Sequence, residues 1–132
     1  MKKDEVTSQR RDLPARTFEF ARRVVKLCQT LDHTPGVSRT LASQLLRSAS
    51  SVGANVEEGQ ASQSRNDFIA KYSIACKEAR ETPYWLRLLA AADVAPVDRL
   101  SGLIEESNQL VAILTTIVKR ARANSRKPAG EG

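Results

Sequence analysis

Apolar residues recur at three- and four-residue spacing in four stretches of the chain, which is the spacing of one face of an α-helix. In the last and most regular stretch the apolar positions are Leu100, Leu103, Ile104, Leu110, Val111, Leu114, Ile117 and Val118. Breaker residues at 32–36 and 93–96 interrupt the pattern, and no alternating strand pattern is present. The sequence therefore predicts an all-α fold with helices over roughly 14–32, 38–58, 64–92 and 97–122.

Four helices of this length with short connections pack most simply as an antiparallel up-and-down four-helix bundle. The bundle domain is expected over about 13–123, after a flexible N-terminal arm at 1–12 and before a disordered basic tail at 124–132. Pro14 is placed in the first turn of helix 1, where a missing N–H is tolerated. Pro83 falls inside helix 3 and is expected to kink it.

Helix 1 is apolar over a wide arc. Its two apolar stripes consist of Phe18, Ala21, Val25 and Cys28, and of Phe20, Val24, Leu27 and Leu31. Helix 3 also has apolar residues away from its main stripe, at Ile74, Trp85 and Leu89. This is more apolar surface than one bundle buries, and exposed patches of this kind usually mark interfaces. We therefore expect a homo-oligomer.

The chain is basic, with 21 Lys and Arg against 15 Asp and Glu and a net charge of +6. Such a charge makes an anionic partner, nucleic acid above all, a reasonable expectation. The candidate nucleic-acid-binding residues are Arg16, Arg22, Arg23 and Lys26 of helix 1, Arg65, Lys77, Arg80 and Arg87 of helix 3, and Lys119, Arg120 and Arg122 of helix 4. The alternative for each is a solvated surface base, and bases at the end of helix 4 also complement its dipole.

Residues suited to catalysis do not converge in this pattern. The single histidine, His33, lies in a breaker segment, and adjacent acids such as Glu57 and Glu58 point in different directions on a helix. Cys28 and Cys76 occupy apolar faces of different helices, which favours buried reduced thiols over a disulfide or a metal site. We predict no catalytic residue, no bound metal and no cofactor.

The sequence contains no apolar run near the ~18 residues of a membrane-spanning helix. Its first residues, Met1 to Glu5, also lack the apolar segment of a secretory signal. We therefore expect no membrane contact and a cytoplasmic location.

Several short motifs carry a family resemblance, at 44–47 with 51–52, at 55–59, at 65–69 and at 77–89. From Phe18 to about Arg122 the chain resembles the four-helix bundle proteins first known as open reading frames in intervening sequences of bacterial 23S rRNA genes. Relatives of that family include the accessory variability determinant proteins of diversity-generating retroelements. The chain departs from the family pattern at Glu57, where a small residue is usual, and at Pro83, where a residue other than proline is commoner.

Four residues of these motifs are candidates for a structural role: Asn55, Glu58, Gly59 and Trp85. Asn55 lies near the apolar stripe of helix 2, three residues before Glu58, so the two are expected to join a buried polar network. A ligand site at this pair is the second interpretation.

The resemblance implies an up-and-down bundle that assembles as a ring, with a pentamer as the expected form. In the retroelement relatives, such a basic ring contacts a reverse transcriptase and nucleic acid. We therefore hypothesise a non-enzymatic, homo-oligomeric protein that binds RNA or DNA through phosphate contacts and scaffolds a nucleic-acid enzyme such as a reverse transcriptase. The alternative is a protein-binding adaptor without nucleic-acid affinity, with Tyr84 and Trp85 as its anchors.

Overall fold

The computed structural model describes residues 3–31 and 35–125, with side chains from residue 12 onward. Its four helices are α1 (Lys3–Leu31), α2 (Val37–Gln60), α3 (Arg65–Ala91) and α4 (Val97–Ser125). Each helix packs against the next in sequence and α1 also packs against α4, whereas the backbones of the diagonal pairs of these described helices do not come close to each other. The predicted all-α four-helix bundle is confirmed.

Contacts between neighbouring helices run in opposite directions along the chain, as an up-and-down bundle requires. Between α2 and α3, for example, Ser48 meets Thr82 and Gly59 meets Tyr72. Between α3 and α4, Cys76 meets Thr115 and Ser73 meets Arg122. Every helix is therefore antiparallel to its neighbours, and the short connections suffice to join them.

The first helix begins at Lys3 and not at residue 14, so residues 3–12 are helical where a flexible arm was expected. Pro14 then lies inside α1, although the sequence pattern predicts it in the first turn. A proline inside a helix removes one hydrogen bond, and the residues before it are mostly good helix formers that continue the helix. Residues 1 and 2 lie outside the described part of the chain.

At the other end, α4 continues to Ser125, so residues 124 and 125 are helical where the tail was expected to be disordered. Residues 126–132 lie outside the described part of the chain, as does His33. The helix α3 starts as predicted, because the Ser64 side chain accepts a hydrogen bond from the Asp67 N–H at 3.0 Å. It also passes through Pro83 without ending.

The core lies along the axis of the bundle and contains residues from all four helices. Its largest fully buried side chains include Phe20 of α1, Leu45 of α2, Tyr72 of α3 and Leu110 of α4. The free cysteines Cys28 and Cys76 are both buried, as the sequence predicted. None of the helices formed by the described residues has the length and apolarity that crossing a bilayer demands.

Small residues on α2 allow its neighbours to come close. A Cβ placed on Gly53 would lie 3.4 Å from the backbone oxygen of Thr17 in α1, so the two helices pack almost backbone to backbone there. On the opposite side of α2, the buried Ser48 hydroxyl accepts a hydrogen bond from Thr82 of α3 at 3.1 Å. The run of small residues in the sequence is thus explained by helix packing.

Candidate nucleic-acid interface

The bundle separates the candidate basic residues into two surfaces. Those of α1 and those of α3 lie on helices that occupy opposite corners of the bundle. The basic residues of α4 lie on the helix between them. One continuous patch therefore does not include all of the candidates.

Arg16 is engaged in holding α1 to α4. Its guanidinium donates two hydrogen bonds of 2.8 Å to the Glu106 carboxylate and one of 2.6 Å to the Gln109 side chain. This paired carboxylate raises the pKa of Arg16. Because three of its five N–H donors are used and its charge is paired, Arg16 is a structural residue and a poor phosphate ligand.

Of the other α1 bases, Arg22 and Lys26 are exposed and Arg23 is half-buried. Arg22 forms an ion pair with Glu19 one turn earlier, at 2.6 Å. Arg23 extends over Gly102 of α4, where its guanidinium nitrogen lies 3.2 Å from the position that a Cβ on this glycine would occupy. Lys26 remains exposed on the outer side of α1.

The α3 and α4 bases come together at a groove between these two helices. This cleft of about 550 Å³, called the α3/α4 groove below, is lined by Ser73, Cys76, Arg80, Thr115, Val118, Lys119, Arg122 and Ala123. Three of the candidate residues thus share one cleft, and its lining contains no acidic residue. The positive charges are uncompensated within the cleft.

Helix periodicity explains why these residues meet. Arg80 lies four residues after Cys76, and Lys119 lies four residues after Thr115, so each base is on the same side of its helix as the residue that forms the floor. Arg122 is held against α3 by donating a hydrogen bond of 3.1 Å to the Ser73 hydroxyl. Arg80 and Lys119 have no ion-pair or hydrogen-bond partner among the described residues.

The remaining candidates surround this groove. Arg65 begins α3 at the same end of the bundle, beside Ala121 and Asn124 of α4. Lys77 and Arg87 are exposed on the outer side of α3, and Arg120 is exposed on α4. The α3/α4 groove is therefore the centre of a basic surface that continues onto α3.

An ion-pair cluster that sequence analysis missed joins α2 to α3. Arg47 of α2 reaches both Glu78, at 3.1 Å, and Glu81 of α3. Trp85 donates its ring N–H to Glu81 at 3.0 Å. The hydrogen bond from Trp85, followed by the contact with Arg47, lowers the pKa of Glu81. The position of Arg47 in the 44–47 motif was the available signal, but its partners lie too far along the chain to be inferred from spacing.

The predicted polar network of Asn55 and Glu58 does not form. Asn55 instead donates hydrogen bonds to the backbone oxygen and hydroxyl of Ser51, at 2.9 and 3.0 Å. Glu58 is exposed and lies 3.9 Å from Lys71. Each is satisfied separately, because Asn55 finds its partners on Ser51 one turn earlier and Glu58 is exposed to water.

Gly59 has a clear packing role at the end of the same motif. A Cβ at this position would come closer to the Tyr72 ring than the 3.0 Å that real Cβ atoms keep. Tyr72 is fully buried, stacks on Phe68 with ring centroids 4.2 Å apart, and accepts a hydrogen bond from Gln60. The motif glycine is thus required by the close approach of α3.

Several large apolar side chains remain on the surface. Phe18 is 65% exposed and Val25 is 39% exposed on α1, and Tyr84 is 51% exposed on α3. Val25 borders a shallow groove that Ala42 and Leu46 of α2 also line. Within residues 12–31 and 35–125, no three His, Cys, Asp or Glu side chains gather as a metal site would require.

Comparisons with known proteins agree on one family. The family model described as 23S rRNA-intervening sequence protein matches residues 12–116. A crystal structure of a protein with unknown function from the S23 ribosomal protein family of Bacteroides thetaiotaomicron VPI-5482 is similar, with a TM-score of 0.77. The two sequences are 35% identical, and the match covers 84% of this chain and 98% of that one. No curated protein matches the chain significantly.

Proposed function

The chain belongs to the 23S rRNA-intervening sequence protein family, and from this premise we propose that it is a non-enzymatic, homo-oligomeric protein that binds RNA or DNA. The binding surface is the α3/α4 groove, where Arg80, Lys119 and Arg122 contact backbone phosphates. The observation that carries this proposal is their convergence in a cleft whose lining contains no acid.

The chemistry of the groove suits a phosphate backbone. Arg and Lys side chains on one cleft supply charge-assisted donors, and the hydroxyls of Ser73 and Thr115 add neutral ones. Phosphate contacts of this kind position a nucleic acid without reading its sequence. The protein therefore binds with little sequence preference and scaffolds a nucleic-acid enzyme, such as a reverse transcriptase, on the bound strand.

A cytoplasmic location is part of the proposal. Cys28 and Cys76 are free thiols, which suits a reducing compartment where RNA is also present.

Homo-oligomerisation is supported by the surface of α1. Val25 lines the groove between α1 and α2, and Phe18 is exposed two turns earlier on α1. Burying them against a second copy would remove this apolar surface from water. The family resemblance favours a pentamer. In such an assembly the α3/α4 groove is repeated in every copy, so the positive fields add and binding strengthens.

A salt titration of RNA binding tests the groove. Arg80→Gln, Lys119→Gln and Arg122→Gln are combined in one variant, and its affinity for RNA is compared with that of the original protein by fluorescence anisotropy. If three phosphate contacts are lost, the slope of log K against log salt becomes shallower by about 2 for a single strand.

The matched control removes the same charge elsewhere. A variant carrying Arg22→Gln, Lys26→Gln and Arg99→Gln neutralises three exposed bases outside the groove. It is expected to retain most of the affinity and the steep salt dependence. Equal losses in the two variants would mean that net charge alone attracts RNA, and absence of binding to both RNA and DNA by the unmodified protein would refute the proposed function.

A protein-binding adaptor remains the second candidate, and the exposure of Tyr84 beside Trp85 favours it. Aromatic residues of this kind often anchor protein interfaces. This candidate predicts that the unmodified protein does not bind RNA even at low salt.

A further inference from the structure

We propose that the nucleic acid bound by this protein is single-stranded, and that an unpaired base stacks on Tyr84. This inference rests on the proposed function and adds the class of strand and the residue that recognises it. The residues concerned lie on the outer side of α3, next to the α3/α4 groove.

Tyr84 lies among basic side chains on the outer side of α3. It follows Arg80 by four residues and precedes Arg87 by three, while Lys77 lies two turns earlier. At about 100° per residue these four side chains leave the helix within roughly 80° of arc, over about 15 Å of its length. An exposed aromatic ring thus lies within a basic strip that is continuous, through Arg80, with the α3/α4 groove.

The ring of Tyr84 packs against the ring of the next residue. Trp85 meets it edge to face, with ring centroids 5.1 Å apart and an angle of 72° between the planes. Trp85 is itself held by its hydrogen bond to Glu81. Because the neighbouring ring is fixed, Tyr84 loses less freedom on binding than an isolated surface tyrosine would.

The acids nearest this strip are partly neutralised. Glu78 and Glu81 both form ion pairs with Arg47 of α2, on the side of α3 away from the groove. The single charge of Arg47 compensates one of the two carboxylates, and the basic side chains around Tyr84 outnumber the one negative charge that is left, so the strip keeps a positive potential. Its charge complements a phosphate backbone better than an apolar protein surface.

An aromatic ring among basic side chains can stack only on a nucleic-acid strand whose nucleobase faces are accessible. In a duplex the bases are stacked on one another, whereas an unpaired base offers its π-face to a side chain. Proteins that bind single strands combine a basic groove with aromatic platforms in this way. Arg80, Arg87 and Lys77 would contact the phosphates on either side of the stacked base.

The test compares oligo(U), which forms no secondary structure, with an RNA duplex of the same length. Tyr84→Ala is expected to weaken oligo(U) binding about tenfold, the factor that roughly 1.4 kcal/mol of stacking supplies, and to leave duplex binding unchanged. Tyr84→Phe keeps the ring and is expected to retain the affinity of the original protein. Ile74→Ala removes another exposed apolar side chain of α3, without aromatic character, and should have no effect.

Light scattering of each variant separates this inference from its rivals. Unchanged oligo(U) affinity in Tyr84→Ala, combined with loss of binding in the groove variant, would overturn the stacking role and leave the proposed function standing. A fall in particle mass in Tyr84→Ala, with equal weakening for both RNAs, would assign Tyr84 to a contact between copies and also overturn it. If the original protein binds neither of these RNAs nor the corresponding single-stranded and duplex DNA, both proposals fail.

Discussion

At the scale of single residues, packing explains why the motif position 59 is a glycine, Gly59. The glycine lies inside α2, which continues to Gln60, so it is not needed to end the helix. What requires it is the Tyr72 ring, which occupies the space of a Cβ. The ring has little freedom to move, because it is fully buried and stacked on Phe68.

We predict that Gly59→Ala destabilises the protein by about 1–3 kcal/mol, the usual cost of overpacking a core. The better helix propensity of alanine, worth about 1 kcal/mol, offsets only part of this loss. The free energy of unfolding in urea, measured by circular dichroism, checks the prediction.

Gly102→Ala provides the matched control. At this exposed position in α4 an added Cβ meets only the end of the flexible Arg23 side chain. The substitution should therefore stabilise the protein by up to about 1 kcal/mol through helix propensity. Two substitutions with the same sign would show that the Tyr72 contact does not decide the effect.

At the scale of helices, ion pairs fix which surfaces face each other. Arg16 and Glu106 join α1 to α4, and Arg47 with Glu78 and Glu81 joins α2 to α3. Both arginines looked like free surface bases in the sequence. Their partners, which lie 31 to 90 positions away, make both arginines helix clamps, and Arg16 thereby ceases to be a candidate phosphate ligand.

The clamp at Glu81 has a predictable pH dependence. Hydrogen bonding from Trp85 and the charge of Arg47 lower the pKa of Glu81 in the folded protein below its ordinary value of 4.5. The ionised carboxylate therefore stabilises the fold above pH 4.5, and this contribution is lost as the pH falls through the folded pKa.

We predict that Glu81→Gln lowers the free energy of unfolding at pH 7 by less than about 1 kcal/mol, because the ion pair is partly exposed. The difference between the variant and the original protein should shrink as the pH falls below 4.5. Urea titrations across this pH range measure it. Glu57→Gln, at an exposed position that makes no ion pair with a described residue, should show no such trend, and a pH-independent difference at Glu81 would contradict the assignment.

At the scale of the whole molecule, the bundle buries one apolar stripe of α1 and leaves part of the other exposed. Phe20 and Val24 are in the core, while Phe18 and Val25 remain on the surface. A single bundle has no fifth helix to cover them. The exposed stripe is where we expect a second copy to pack.

We predict that the purified protein has a mass several times the 14.5 kDa of one chain, and that Phe18→Glu reduces it to the mass of a monomer with unchanged helix content. A charge at Phe18 opposes burial of this face between copies. Light scattering and circular dichroism provide the two measurements. Asn108→Glu adds the same charge on an exposed position of α4 and should leave the mass unaltered, whereas a monomeric original protein would contradict the expectation.

Helix number, order and approximate bounds were predictable from the sequence alone. Apolar spacing and breaker residues are local signals, and burial of one face per helix follows from them. The same signals were insufficient at the N-terminus, where Pro14 suggested a start but α1 begins at Lys3. Capping and proline rules describe preferences of short segments, and they do not forbid a helix from passing through a proline.

Only the tertiary structure decided which charges are available. From the sequence Arg16 and Arg80 are equivalent candidate bases, but packing places a carboxylate beside the first and none in the cleft that the second lines. The physical reason is the distance along the chain over which each effect acts. Helix formation depends on residues within a few positions, whereas the electrostatic environment of a side chain depends on whichever helix folding brings next to it.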